Sequence, residues 1–81
     1  MLMSDANPGD AVDAIIADVL AIDEGSFSDD DVFGTDLRTE SLDYVEIAET
    51  IEFELGVAVP DEELERIETV DHLKTYVVNH T

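Results

Sequence analysis

The chain has 81 residues, enough for one domain with a modest core and too few for two. Hydrophobic residues make up 44% of it, so a packed fold is open to it, but 22 acids against three bases leave a formal charge of −19. That balance excludes nucleic-acid backbone and anionic membrane as partners, since both are held by Lys and Arg, and it favours a basic protein surface, bound cations or a very salty milieu.

Residues 1–7 read as a frayed, flexible tail, with a single domain over residues 8–81. Pro8 suits a first helical turn, and Asp10 and Asp13 follow near that start. Val12, Ile15, Ile16, Val19 and Leu20 recur at i, i+3, i+4, i+7 and i+8, the spacing of a helix with one face in a core. Gly25 is the expected stop. Ser26 to Glu40 is a long connection, and loops of that length inside a compact domain carry function or pack on their own side chains. Phe27, Val32, Phe33 and Leu37 are available to pin it.

The next helix starts near Ser41. Thr39 and Ser41 are both N-cap residue types, and Glu40 and Asp43 place negative charge where the helix dipole favours it. Gly56, followed by Val57, Val59 and Pro60, ends it. Tyr44, Ile47, Ala48, Ile51 and Leu55 form its core stripe. Leu42, Val45 and Phe53 lie off that stripe among Glu46, Glu49 and Glu52. A hydroxyl at a helix start therefore sits beside apolar residues ringed by carboxylates. Scattered surface hydrophobics need no partner, and a docking surface accounts for them equally well.

Beyond Pro60, Asp61-Glu62-Glu63 opens a short helix that buries Leu64 and Ile67. Thr69 caps a last helix with Val70, Leu73, Tyr76 and Val77 as its apolar face. The predicted fold is all-α: a small four-helix bundle, three helices longer and one short, with a long first loop. No basic stretch precedes an apolar core at the amino terminus, and no apolar run approaches membrane-spanning length, so a soluble, cytoplasmic protein is expected.

Little in the chain reads as catalytic. The absence of cysteine rules out a disulfide, a thiolate nucleophile and a Cys-based metal site, so any thiol chemistry has to come from an attached group. Asp29, Asp31, Gly34 and Glu40 fall at calcium-loop spacing, but Phe33 offers no side-chain oxygen where that loop needs one, and no metal is expected. Ser41 lacks the glycines of a nucleophile elbow, and no motif links His72 or His80 to it. Carboxylates are too many for one pair to stand out as an acid–base couple. The chain is not expected to be an enzyme.

Two blocks then carry a resemblance. Glu40-Ser41-Leu42-Asp43 followed by Val45-Glu46 resembles the Asp-Ser-Leu-Asp…Val-Glu signature of acyl carrier proteins. Val59-Pro60-Asp61-Glu62-Glu63, with Ile67 and Thr69-Val70, resembles that family's Ile-Pro-Asp-Glu-Glu…Ile…Thr-Val run, and the separation of the two blocks also matches. The resemblance extends over nearly the whole chain after about Asp10.

It implies that Ser41 bears a 4′-phosphopantetheine arm, added from coenzyme A by a phosphopantetheinyl transferase, whose thiol holds acyl units as thioesters. The chain would be a discrete, monomeric shuttle between synthase enzymes with basic docking patches, in fatty-acid or polyketide-type synthesis. Glu40, Leu42, Asp43, Val45, Glu46, Glu49, Glu52 and Asp61 would form its docking face. Phe33, Tyr44, Ile47, Ile51, Leu64 and Ile67 would line an acyl pocket. A carrier of aminoacyl, peptidyl or other small-acid units shares the same Ser41 chemistry, and an unmodified acidic adaptor or DNA mimic is the alternative of another class. Sparse lysine in an acid-rich chain also resembles proteins of halophiles. The chain departs from the family pattern in several places. Glu40 stands for the usual Asp, Arg38 for a glycine, Thr39 for a small residue, Tyr44 for a small residue on the pocket side, and Glu49 for an apolar docking residue.

Overall fold

Asn7 Oδ1 accepts the Asp10 N–H at 2.8 Å and so starts helix α1 (Pro8–Leu20). Pro8 takes the position where a missing N–H is harmless. The computed structural model describes residues 7–81, and the remainder of the tail expected over residues 1–7 lies outside them. Asn7 itself is a cap, not tail.

The helix stops before the glycine expected to end it. Ala21 turns left-handed at φ 58°, its N–H reaches Asp18 O at 3.3 Å, and the Ile22 N–H reaches Ala17 O at 2.9 Å. That paired closure satisfies the last carbonyls and turns the half-buried Ile22 back toward the helix, so nothing is left for Gly25 to terminate. Gly25 lies in a single 3-10 turn, Glu24–Ser26, within the long connection.

Helix α2 (Ser41–Leu55) ends as predicted, with Gly56 left-handed at φ 72°. Its start differs by one residue from either candidate cap. Glu40 is the N-cap, and Asp43 accepts the Glu40 N–H at 3.0 Å. Helix α3 (Asp61–Arg66) is short, and helix α4 (Val70–Asn79) has the predicted cap, the Thr69 hydroxyl accepting the His72 N–H at 3.1 Å.

α1 packs on both α2 and α4. Val12, Ile15 and Ile16 from α1, Ile47 and Ile51 from α2, and Val70, Leu73 and Val77 from α4 form one buried cluster. Val57, Val59 and Ile67 from the later connections complete it. Among the described residues the chain is a four-helix bundle without a strand. None of its helices is long and apolar enough to cross a membrane.

The long connection is held from both ends of its middle. Phe33 inserts into the core at 1% exposure, a burial worth about 1.5–3 kcal/mol. Its N–H donates to Glu68 O at 2.9 Å, while the Val70 and Asp71 N–H groups donate to Asp31 O and Asp29 O at 3.1 and 2.9 Å. Val32 and Thr69 thereby form an isolated antiparallel bridge. Of the predicted pins, Phe33 is fully buried, and Phe27, Val32 and Leu37 are half-buried. Lys74 of α4 adds an ionic tie, its Nζ donating to Asp13 of α1 at 3.0 Å and to Asp29 of the loop at 2.7 Å.

Candidate functional site at the start of helix α2

Ser41 occupies the first helical position of α2 and is exposed. Because Glu40 and Asp43 close the helix start between them, the serine hydroxyl is not needed as a cap. Among the described residues it makes no hydrogen bond, so its oxygen is free to react. The approach is fixed from below. Thr39 is buried and its N–H donates to Phe33 O at 2.8 Å, while Arg38 is held left-handed at φ 53°. The glycine that the resemblance puts at position 38 would take that conformation without strain.

Beside Ser41 lies an open groove of about 330 Å³ between α2 and α3, lined by Ser41, Tyr44, Val45, Asp61, Leu64 and Glu65. Tyr44, Val45 and Leu64 give it apolar surface, and Asp61 and Glu65 bring two carboxylates to its lining. Tyr44 meets the Phe33 ring edge-on, with centroids 5.6 Å apart and planes at 68°. Burial pushes the Tyr44 hydroxyl above its ordinary pKa, since the ionised form would lose solvation. Of the residues expected to line an acyl pocket, Tyr44 and Leu64 face this groove. Phe33, Ile47, Ile51 and Ile67 sit in the packed core at 0–4% exposure. Glu65 was not foreseen from the sequence, because α3 has acids at nearly every position and only its placement against α2 singles one out.

The expected docking residues divide in the same way. Glu40, Leu42, Val45, Glu46, Glu49, Glu52 and Asp61 are exposed. Asp43 is half-buried and one of its carboxylate oxygens is committed to the helix start. Leu42 is 77% exposed and Phe53 90%, and at about 100° per residue the two fall in one sector of α2 together with Glu46 and Glu49. Phe53 stood out in the sequence as lying off the core stripe, and its near-complete exposure adds it to the same surface.

The residues at calcium-loop spacing have other work. Asp29 binds Lys74, and Asp31 accepts the Ser28 N–H at 3.0 Å. Among the described residues no three His, Asp or Glu side chains gather as a metal cluster. His80 stacks on Tyr76 with centroids 4.1 Å apart, and His72 is exposed in the first turn of α4. Neither contacts Ser41.

Residues 10–77 match a family profile described as a phosphopantetheine attachment site. An acyl carrier protein of Rubrobacter xylanophilus is 41% identical over 69 residues, 85% of each chain. One from Thermosynechococcus vestitus is 40% identical over 68 residues, 84% of each chain. One from Clostridium perfringens is 38% identical over 72 residues, covering 89% of this chain and 95% of the relative.

Proposed function

The chain belongs to the acyl carrier protein family, and from that premise we propose that Ser41 is the residue that bears its prosthetic group and that the protein is a discrete shuttle for acyl units. The group is 4′-phosphopantetheine, attached covalently. The observation that carries the assignment to Ser41 is its exposed hydroxyl, free of any cap bond, at the first position of a 15-residue helix. The free N–H groups of that first turn favour the phosphate of a phosphodiester. When bound, the group supplies the thiol that this chain lacks and on which acyl units ride.

The residues of the chain then bind and present. Val45 and Leu64 offer apolar surface beside the attachment point. Glu46, Glu49 and Glu52, with Leu42 among them, form an acidic surface that steers basic patches of a phosphopantetheinyl transferase and of synthase enzymes toward Ser41. Carriage for fatty-acid or polyketide-type synthesis, by a monomer working in the cytoplasm, is the reading this surface and the family support. No catalytic role is assigned to any side chain.

Incubation with coenzyme A and a broad-specificity transferase, followed by intact mass, tests the assignment. The wild type should gain one phosphopantetheine and Ser41→Ala none. Modification that persists in the variant moves the site elsewhere, and folded wild type that stays bare favours an acidic adaptor instead.

A further inference from the structure

Arg38 stands three residues before Ser41 and is exposed. Both of its neighbours are held in place. The Leu37 N–H donates to Val32 O at 3.2 Å, and the Thr39 N–H donates to Phe33 O at 2.8 Å. Between these anchors Arg38 is kept left-handed at φ 53°, a conformation disfavoured for a residue with a Cβ. No contact of its side chain within the fold offsets that. Among the described residues the Arg38 guanidinium makes no ion pair and no hydrogen bond. Asp36, two residues earlier, accepts the Val32 N–H at 2.9 Å, and Glu40, two residues later, helps close the start of α2. The other two bases are engaged elsewhere: Lys74 holds Asp13 and Asp29, and Arg66 faces Glu63 at 3.8 Å.

The attachment point has the opposite need. Ser41 lies in sequence between Glu40 and Asp43, which close the helix start together, in a chain of formal charge −19. A phosphodiester on the serine adds one more negative charge there, and like charges repel unless a cation sits among them. The Cα atoms of residues 38 and 41 are at most about 11 Å apart, a gap that a long arginine stem and a phosphodiester on Ser41 close from both sides. A guanidinium also presents two parallel N–H donors to a phosphate, which an ammonium does not.

We propose that Arg38 is a positioning residue for the prosthetic group: its guanidinium binds the phosphodiester on Ser41, offsets the carboxylates of Glu40 and Asp43 around it, and restrains the root of the arm. This rests on the carrier reading above and adds one residue to its site. The resemblance puts a glycine at position 38, so the contact belongs to this chain's own sequence. A left-handed arginine without a partner in the fold thereby acquires one in the modified protein.

The test compares the bare and phosphopantetheine-bearing forms of the wild type, Arg38→Gln and Arg38→Lys. Both variants keep a side chain at position 38, so the backbone strain is common to all three. Intact mass and the mass of the Ser41 peptide are read first. An arm that never forms on the folded wild type overturns the carrier reading, and this contact with it. Where the arm is present, NMR follows the phosphorus resonance of the phosphodiester and the Arg38 Nε–H signal. Attachment should move the Arg38 signal in the wild type and leave that of Arg66 in place. The phosphorus resonance of Arg38→Gln should lie closer to that of the same protein unfolded in urea than the wild-type resonance does. Attachment should raise the thermal midpoint of the wild type by about 1–5 °C more than that of Arg38→Gln in dilute buffer, the range of an exposed ion pair in a small domain. Arg38→Lys should fall between the two, and the differences should shrink in molar salt. An Arg38 signal indifferent to the arm, with equal phosphorus shifts and equal midpoint changes in the wild type and Arg38→Gln, overturns the contact. Slower modification of Arg38→Gln by a transferase, with those spectra unchanged, also overturns it and assigns Arg38 to recognition by the enzyme.

Discussion

Lys74 is one of only three bases in the chain, and the fold concentrates an unusual share of its ionic contact there. Its Nζ donates to Asp13 at 3.0 Å and Asp29 at 2.7 Å, tying α4 to a helix 61 residues earlier and to the middle of the long connection. The Lys74 and Asp13 side chains are only 18% and 23% exposed, and Asp29 is 53% exposed. A hydrogen bond to a charged group nets about 1.5–3 kcal/mol, and the sheltered Asp13 contact falls in that range. The half-exposed Asp29 contact is discounted by solvent to about 0.5 kcal/mol. Asp13 Oδ1 is already buried without a partner, so loss of the ammonium strands the whole carboxylate. Lys74→Met, which keeps the stem and removes the charge, should therefore cost about 2–3 kcal/mol, or about 10–20 °C of thermal midpoint in a domain of this size.

Arg66→Met is the matched control, because it changes the net charge by the same single unit. Its bridge to Glu63 is 3.8 Å long with side chains 75% and 38% exposed, so it should cost no more than a few tenths of a kcal/mol. Chain-wide repulsion is common to both variants, and the difference between their midpoints, followed by circular dichroism, isolates the Lys74 contacts. Adding Asp13→Asn to Lys74→Met should recover part of the loss, since the stranded charge is gone. Equal shifts for the two single variants would refute the reasoning. The pH dependence gives a second reading. The bond to Asp29 raises the Lys74 pKa above its ordinary 10.5; burial lowers it, and the bond to Asp13 and the charges of both carboxylates add to the rise. A raised cation pKa contributes stability that is fully present below the unfolded value and is lost as pH rises through the folded one. The wild type should thus lose stability above about pH 10.5, and Lys74→Met should lose less there.

Two further outcomes follow from the same structure. Reversing Glu46 and Glu52 to Lys should slow acyl transfer with a cognate synthase in dilute buffer and leave helicity unchanged, and the deficit should shrink as salt rises; unchanged rates at low salt would put docking on another face. Arg38→Gly should stabilise the fold by about 0.5–1 kcal/mol, because relief of a left-handed strain of about 1–2 kcal/mol outweighs the added freedom of the unfolded chain; a lower urea midpoint in the glycine variant would show that the Arg38 side chain contributes more than its strain.

What the sequence disclosed was governed by neighbours along the chain. The α1 stripe, the Thr69 cap and the Gly56 stop each depend on residues within a turn or two, and each was legible. Ala21 was not, because the signal for a helix end is glycine, and here hydrogen bonds from Ala21 and Ile22 close the helix four residues before the glycine arrives. The Glu40 cap was hidden for a related reason. Thr39 and Ser41 are stronger cap types, yet Thr39 is drawn into the core and Ser41 is left free by the Asp43 contact. The groove, the Tyr44–Phe33 pair and the Lys74 ties join segments far apart in sequence. No local pattern encodes them, whereas Ser41 was marked by its place at a helix start among apolar and acidic neighbours, and the family resemblance gave that place a chemistry.

The carboxylates divide between those that close the fold and those that face solvent on α2. Asp10, Asp13, Asp29, Asp31, Asp36 and Asp43 all accept hydrogen bonds within the described structure. Four of these close local turns or helix starts, because a short stem holds its oxygens close to nearby polar groups three or four residues away. The carboxylates of Glu46, Glu49 and Glu52 on α2 accept none among the described residues, and the three residues are exposed. At these three positions the charge points away from the backbone and takes no part in local closure, unlike Glu40, which helps close the helix start. Leu42 and Phe53 on the same helix are likewise without a core to bury them. The outward face of α2 is therefore free of structural duty, while its inward face holds Ile47 and Ile51 in the core. On the docking role proposed for it, substitutions on the outward face should alter recognition at Ser41 without loosening the helix that presents it.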